Sequence, residues 1–177
     1  MKKIFAFFLF SIIFISNTNN SFSIEPDVFI QSTVNRAANT LSSNLTKEER
    51  VLKLKQIARE TVDITGIGFY SLGSHRKSLD KDQLSTYKKV FAEYFLKSFS
   101  SRLAEYSNPE IEFISKNKIN KNYTIVLSKI VSTDSRPEVK IEWRVYTKNP
   151  DNFLIRDLII EGLSLARTQT VSYTHLT

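Results

Sequence analysis

The stretch EVKIEWRVYTK, residues 138–148, alternates without a break. Val139, Ile141, Trp143 and Val145 fall on one side, and Lys140, Glu142 and Arg144 on the other. A side-chain period of two belongs to a strand with one face on a core and the other in water. NYTIVLSKIV (122–131) shares the period and sets Tyr123, Ile125, Leu127 and Val131 on one face; IEFISK (111–116) and NFLIRDLIIEG (152–162) read as two further strands. The connections are short and rich in Asn, Lys, Ser, Asp and Pro, as antiparallel hairpins require.

Ahead of Pro109 the period is that of a helix. Pro26-Asp27 suits a first helical turn, because proline loses nothing at N1 and aspartate complements the dipole. Val28, Phe29, Val34, Ala37, Ala38 and Leu41 give this helix an irregular apolar stripe. Thr46-Lys47-Glu48-Glu49 is a capping box, and Val51, Leu54, Ala58 and Val62 recur at intervals of three and four behind it. VDITGIGFYSLG (62–73) is short and apolar. Gly73 is expected to end a helix, and Gly66 and Gly68 to mark a place where another backbone or a ligand comes close. Asp80 with Gln83 caps a long helix running to about Tyr106, with Leu84, Tyr87, Phe91, Phe95, Phe99 and Leu103 on one wide face. Helices first and a meander second predict an α+β fold. N-terminal helices are expected on a curved, mainly antiparallel sheet of four to five strands, NTF2-like, enclosing an apolar pocket.

The absence of cysteine excludes disulfides, thiolate metal sites and a cysteine nucleophile. No phosphate-binding loop, dinucleotide fingerprint, G-x-S-x-G elbow or metal-ligand spacing occurs. At the N-terminus, Lys2 and Lys3 precede an apolar run from Ile4 to Ile15, and Ser21-Phe22-Ser23 offers small residues for cleavage. A run of about a dozen residues is too short to cross a bilayer. Residues 1–23 therefore read as a cleaved signal peptide and 24–170 as one exported domain. Removal of Lys2 and Lys3 lowers the formal charge from +7 to +5. For an exported protein, that excess points to anionic head groups or an acidic protein surface rather than to nucleic acid. The closing stretch VSYTHLT (171–177) fits neither period. Val-Ser-Tyr-Thr-His-Leu is one reading frame of a common sequencing adapter, so the stretch is expected to be a non-native tail, and His175 is set aside.

Four stretches come in a recognisable order: SLGSHRKS (71–78), FAEYFLKSFSSRLAEY (91–106), VKIEWRVYTK (139–148) and DLIIEGLSLARTQ (157–169). They follow a helix ending in Leu-Gly, an aromatic helix closing on Leu-x-Glu-Tyr, a meander with aspartate in its last strand, and Glu-Gly-x-Ser. Over residues 26–169 the chain resembles the MlaC family, the soluble phospholipid-shuttle component of an ABC transport system, also called the toluene-tolerance auxiliary family. The resemblance implies a periplasmic, monomeric, non-catalytic carrier. Its ligand would be phospholipid, with no other cofactor, and its partners an outer-membrane lipoprotein complex and an inner-membrane ABC transporter. Where the family usually has Tyr-Trp-Arg, this chain has His75-Arg76-Lys77, which implies a more polar pocket entrance.

A lipid carrier needs an apolar chamber and no catalytic group. The expected lining is Ile67, Tyr70, Phe91, Phe95, Phe99, Val126, Trp143, Val145 and Leu158, because aliphatic and aromatic side chains on the helices and one sheet face are what such pockets use. Arg76, Lys77 and Arg102 are the expected head-group or docking residues, arginine's fork matching phosphate oxygens. Asp157 and Glu161 are expected to be structural, with Ser164 capping a final helix. Two rival readings use the same fold. A small hydrolase or isomerase would depend on His75 or Asp157, and an interaction adaptor would have a filled core and no chamber.

Overall fold

The structure, a computed structural model, describes residues 24–105, 110–134 and 136–174; the expected signal peptide and residues 175–177 of the expected tail lie outside them. Helix α1 (Pro26–Ser42) starts with proline in its first turn. Asp27 and Glu25 there each meet the Lys116 ammonium at 2.8 Å, tying the start of α1 to the sheet. Helix α2 (Lys47–Thr61) opens on the complete Thr46–Glu49 capping box. Helix α3 (Ile64–Leu72) opens on Asp63, whose carboxylate accepts the Gly66 N–H, and stops at Gly73 with φ 54°. A 3₁₀ turn, Gly73–Lys77, leads to α4 (Lys81–Leu103), capped by the reciprocal Asp80–Gln83 pair.

Strands β1 (Ile111–Asn120), β2 (Tyr123–Ile130), β3 (Val139–Tyr146), β4 (Leu154–Ile160) and β5 (Leu163–Ser164) pair antiparallel in chain order. The fold is thus α+β, helices on a five-stranded open meander. The fifth strand is a two-residue continuation past the turn at Glu161 and Gly162, both at positive φ. Helix α5 (Leu165–Thr174) follows directly and carries helical backbone into the stretch 171–177 as far as Thr174.

Register fixes the two faces of the sheet. Val126 pairs with Trp143 and Trp143 with Leu158, so these three share a face. Ile125, Arg144 and Asp157 form the matching rung of the other face. A bulge inserts Arg156 between the partners of Arg144 and Val145, bending β4 and re-aiming its side chains. On the inner face Ile30, Val34, Val126, Val145, Phe153 and Ile155 pack as one core. A second cluster, Ile67, Phe91, Phe95 and Ala166, joins α3, α4 and α5, and a third joins Leu41, Leu54 and Ala104.

Candidate functional site

Between α1, α2, α4 and the inner face of the sheet lies a cavity of about 390 Å³. Small residues open it. Ala37 and Ala38 of α1 and Ala58 of α2 face the sheet where longer side chains would fill the gap. Leu41, Leu54, Ile57 and Leu103 complete the helical wall, and Ile141, Ile155 and Ile160 the strand wall.

The lining is apolar even where its residues are not. Thr33 donates its hydroxyl to the Phe29 carbonyl at 2.9 Å, and Thr61 to the Ile57 carbonyl at 2.7 Å. Both hydroxyls are spent on their own helices, and both threonines line the cavity. Trp143 likewise donates its indole N–H to the Ser128 hydroxyl at 2.8 Å. Among the described residues, Arg136 is the single charged residue of the lining.

The cavity has a direction. Its strand wall runs from Ile155 through Trp143 and Leu158 to the rung Ile111–Ile130–Val139. Between Val145 and Val139 the strand advances about 20 Å. The inner end is closed by the core beneath Ile30 and Val145, both 0% exposed. The other end is bordered by the exposed Arg136 and Pro137 of the β2–β3 connection.

The structure brings three of the nine expected lining residues to this cavity: Phe99, Trp143 and Leu158. Val126 and Val145 lie on the same sheet face but are sealed in the closed-end core. Ile67, Phe91 and Phe95 pack against Ala166 in the second cluster, because α3 and α5 cover that part of α4. Tyr87, Phe91, Phe95 and Phe99 form one stacked ladder with centroids 5.5 to 6.1 Å apart, and only its last ring reaches the cavity. Tyr70, 55% exposed, borders a different space. Neither Arg76, Lys77 nor Arg102 lines the cavity. Arg76 stacks on Phe69 at 5.2 Å, Lys77 ends the exposed 3₁₀ turn, and Arg102 is exposed one residue before Leu103. Sequence reasoning missed the walls from α1 and α2. Their signal was present: three alanines sit within apolar stripes that otherwise carry Val, Leu and Phe. Arg136 gave no signal, being one charge in a polar connection.

The second space, about 580 Å³, lies on the outer face of the sheet and mixes charged with apolar side chains. Arg144, Arg156, Asp157 and Arg167 line it. Asp157 is buried and accepts the N–H groups of Leu158 (2.9 Å) and Ala166 (3.0 Å) and the Ser164 hydroxyl (2.7 Å). Ser164 in turn accepts the Arg167 N–H, capping α5. Glu161 accepts the Lys140 N–H at 2.5 Å. These contacts anchor α5 on β4. Among the described residues, no group of His, Asp and Glu is arranged to hold a metal ion, and no helix is long and apolar enough to cross a membrane.

A family model described as MlaC protein matches residues 31–176. The chain belongs to the MlaC family. A solved structure with the same fold is the phospholipid-binding protein from Ralstonia solanacearum in complex with a phospholipid. It is 14% identical, with a TM-score of 0.72 over 86% of this chain and 87% of that one. No curated protein matches the chain significantly by sequence. In this MlaC-family chain the α+β expectation therefore holds: helices on an antiparallel open sheet.

Proposed function

We propose that the chain is a periplasmic phospholipid-binding shuttle, carrying lipid without catalysis between an outer-membrane lipoprotein complex and an inner-membrane ABC transporter. The observation that carries this reading is the cavity between helices and sheet, whose threonine hydroxyls are turned away into helix backbone. Family membership and the phospholipid complex of the Ralstonia solanacearum protein support it. The physical task is large. A two-tailed phospholipid has roughly 30 methylenes, and exposing them to water costs on the order of 25 kcal/mol at about 0.8 kcal/mol each. A cavity of about 390 Å³ falls within the roughly 300–1,000 Å³ of small-molecule sites. An adaptor with a filled core does not fit this geometry. Of the residues an enzyme would use, Asp157 accepts three hydrogen bonds that tie α5 to β4, and His75 sits on an exposed turn.

Organic extraction of purified protein followed by mass spectrometry tests the reading. Phospholipid in the extract is expected, with reloading of stripped protein from phospholipid vesicles. A clean extract together with no uptake from vesicles would refute it.

A further inference from the structure

We infer that Arg136 is the anchor for the phosphate of the lipid's head group. The inference rests on the lipid-carrier reading and assigns the mouth of that same cavity. By register, Arg136 and Pro137 lie just beyond the rung Ile111–Ile130–Val139, at the end opposite the closed core. Tails lying along the strand wall would therefore bring the first polar group of the ligand to this residue.

The root of the side chain is held in place. Arg136 and Thr133 exchange both backbone hydrogen bonds, at 2.8 and 3.1 Å. Pro137 restricts the residue before it to extended conformations and so fixes the direction in which the Arg136 side chain leaves the backbone.

The charge is uncommitted. Glu112 and Glu138 both pair with Lys129, at 3.2 and 3.0 Å, Glu161 takes the Lys140 N–H, and Glu110, beside the same rung, makes no ion pair with Arg136. Asp134, two residues away, makes no ion pair with it. Among the described residues the Arg136 guanidinium has neither hydrogen bond nor ion pair. An arginine fork beside an otherwise apolar lining suits a phosphodiester, with two donors for two oxygens. It also sets the ligand's orientation, tails toward Ile155 and phosphate toward solvent.

The test compares Arg136→Gln and Arg136→Glu with wild type and with Arg102→Glu. Uptake is measured from vesicles of phosphatidylglycerol and of a neutral carrier lipid doped with diacylglycerol of the same tails. Loss of the anchor is expected to weaken phosphatidylglycerol uptake by about ten- to a hundredfold. Diacylglycerol uptake and the Arg102→Glu protein should stay near wild type. Equal loss for both lipids, or no loss for either, overturns the assignment while leaving the carrier reading intact. Wild-type protein that takes neither lipid overturns both. Inorganic phosphate alone is expected to leave the Tm unchanged, because an anion without tails gains nothing from the cavity. A phosphate-dependent rise in Tm that Arg136→Gln abolishes would identify a free-anion site and overturn the lipid assignment.

Discussion

Ser100 lies on α4 at 0% exposure, and among the described residues its hydroxyl has no hydrogen-bond partner. A buried hydroxyl that has left water without finding an acceptor is a net cost. Ser100→Ala is therefore expected to raise unfolding free energy by about 1 kcal/mol, read from urea midpoints at constant slope. An unchanged or lower midpoint would show that the hydroxyl is satisfied in solution. Arg156 is the opposite case. Its Nε donates to Asp63 and its Nη1 to Tyr123, both at 2.6 Å, and its guanidinium lies 3.8 Å from the centre of the Tyr146 ring. Burial alone would lower its pKa, but the bonds to Tyr123 and Asp63 outweigh that and hold it above the ordinary value. The arginine thus joins β4 to the start of α3 across the bulge. Its partner Asp63 also caps α3, so one carboxylate sets both the start and the placement of that helix.

At the scale of elements, α3 shows why a glycine, Gly68, occurs in a helix. A β-carbon on Gly68 would meet the Phe91 ring at 2.8 Å, and the Gly68 carbonyl accepts the Tyr87 hydroxyl at 2.9 Å. The close neighbour is an aromatic helix, where the sequence suggested a backbone or a ligand. Gly68→Ala should gain helix propensity but push α3 off α4, for a net loss of about 1–3 kcal/mol in chemical unfolding. The tether of α1 behaves differently. The hydrogen bond from Lys116 lowers the Asp27 pKa against the opposing effect of burial. A lowered carboxylate pKa stabilises the fold above the ordinary carboxylate range and loses that contribution as pH falls through the lowered value. Asp27→Asn should therefore be less stable than wild type at neutral pH, with the gap closing below about pH 4 in urea titrations at each pH. A gap independent of pH would mean the aspartate acts through packing. The helices, caps and strands were legible because each rests on local chemistry: Thr46 with Glu49, Asp80 with Gln83, and the alternation from Val139 to Val145. The β4 bulge was not legible, since Arg156 and Asp157 break the alternation only when paired against β3. The cavity lining was partly hidden for a related reason. Phe91 and Phe99 are the same residue type on the same helix face, and only the position of α3 and α5 makes one core and the other wall.

For the whole molecule, the sheet separates two environments, an apolar cavity on its inner face and a mixed cleft with three arginines on its outer face. Val34 and Ile155 of the first cluster and Leu41 and Leu54 of the third also line the cavity, and Ala37, Ala38 and Ala58 are its smallest lining side chains. That separation makes filling the hollow a clean experiment. Ala58→Phe would place a ring in space now empty, adding buried apolar contact where overpacking elsewhere in the core would cost about 1–3 kcal/mol. The expected result is a protein whose Tm, stripped of lipid, is equal to or above that of stripped wild type, yet which no longer yields phospholipid on extraction or takes it from vesicles. Wild type should also gain Tm on loading, since a ligand held only by the native state stabilises it by mass action; the filled variant should not. If Ala58→Phe folds and still binds lipid as wild type does, the tails lie elsewhere and the cavity between helices and sheet is not the lipid's site.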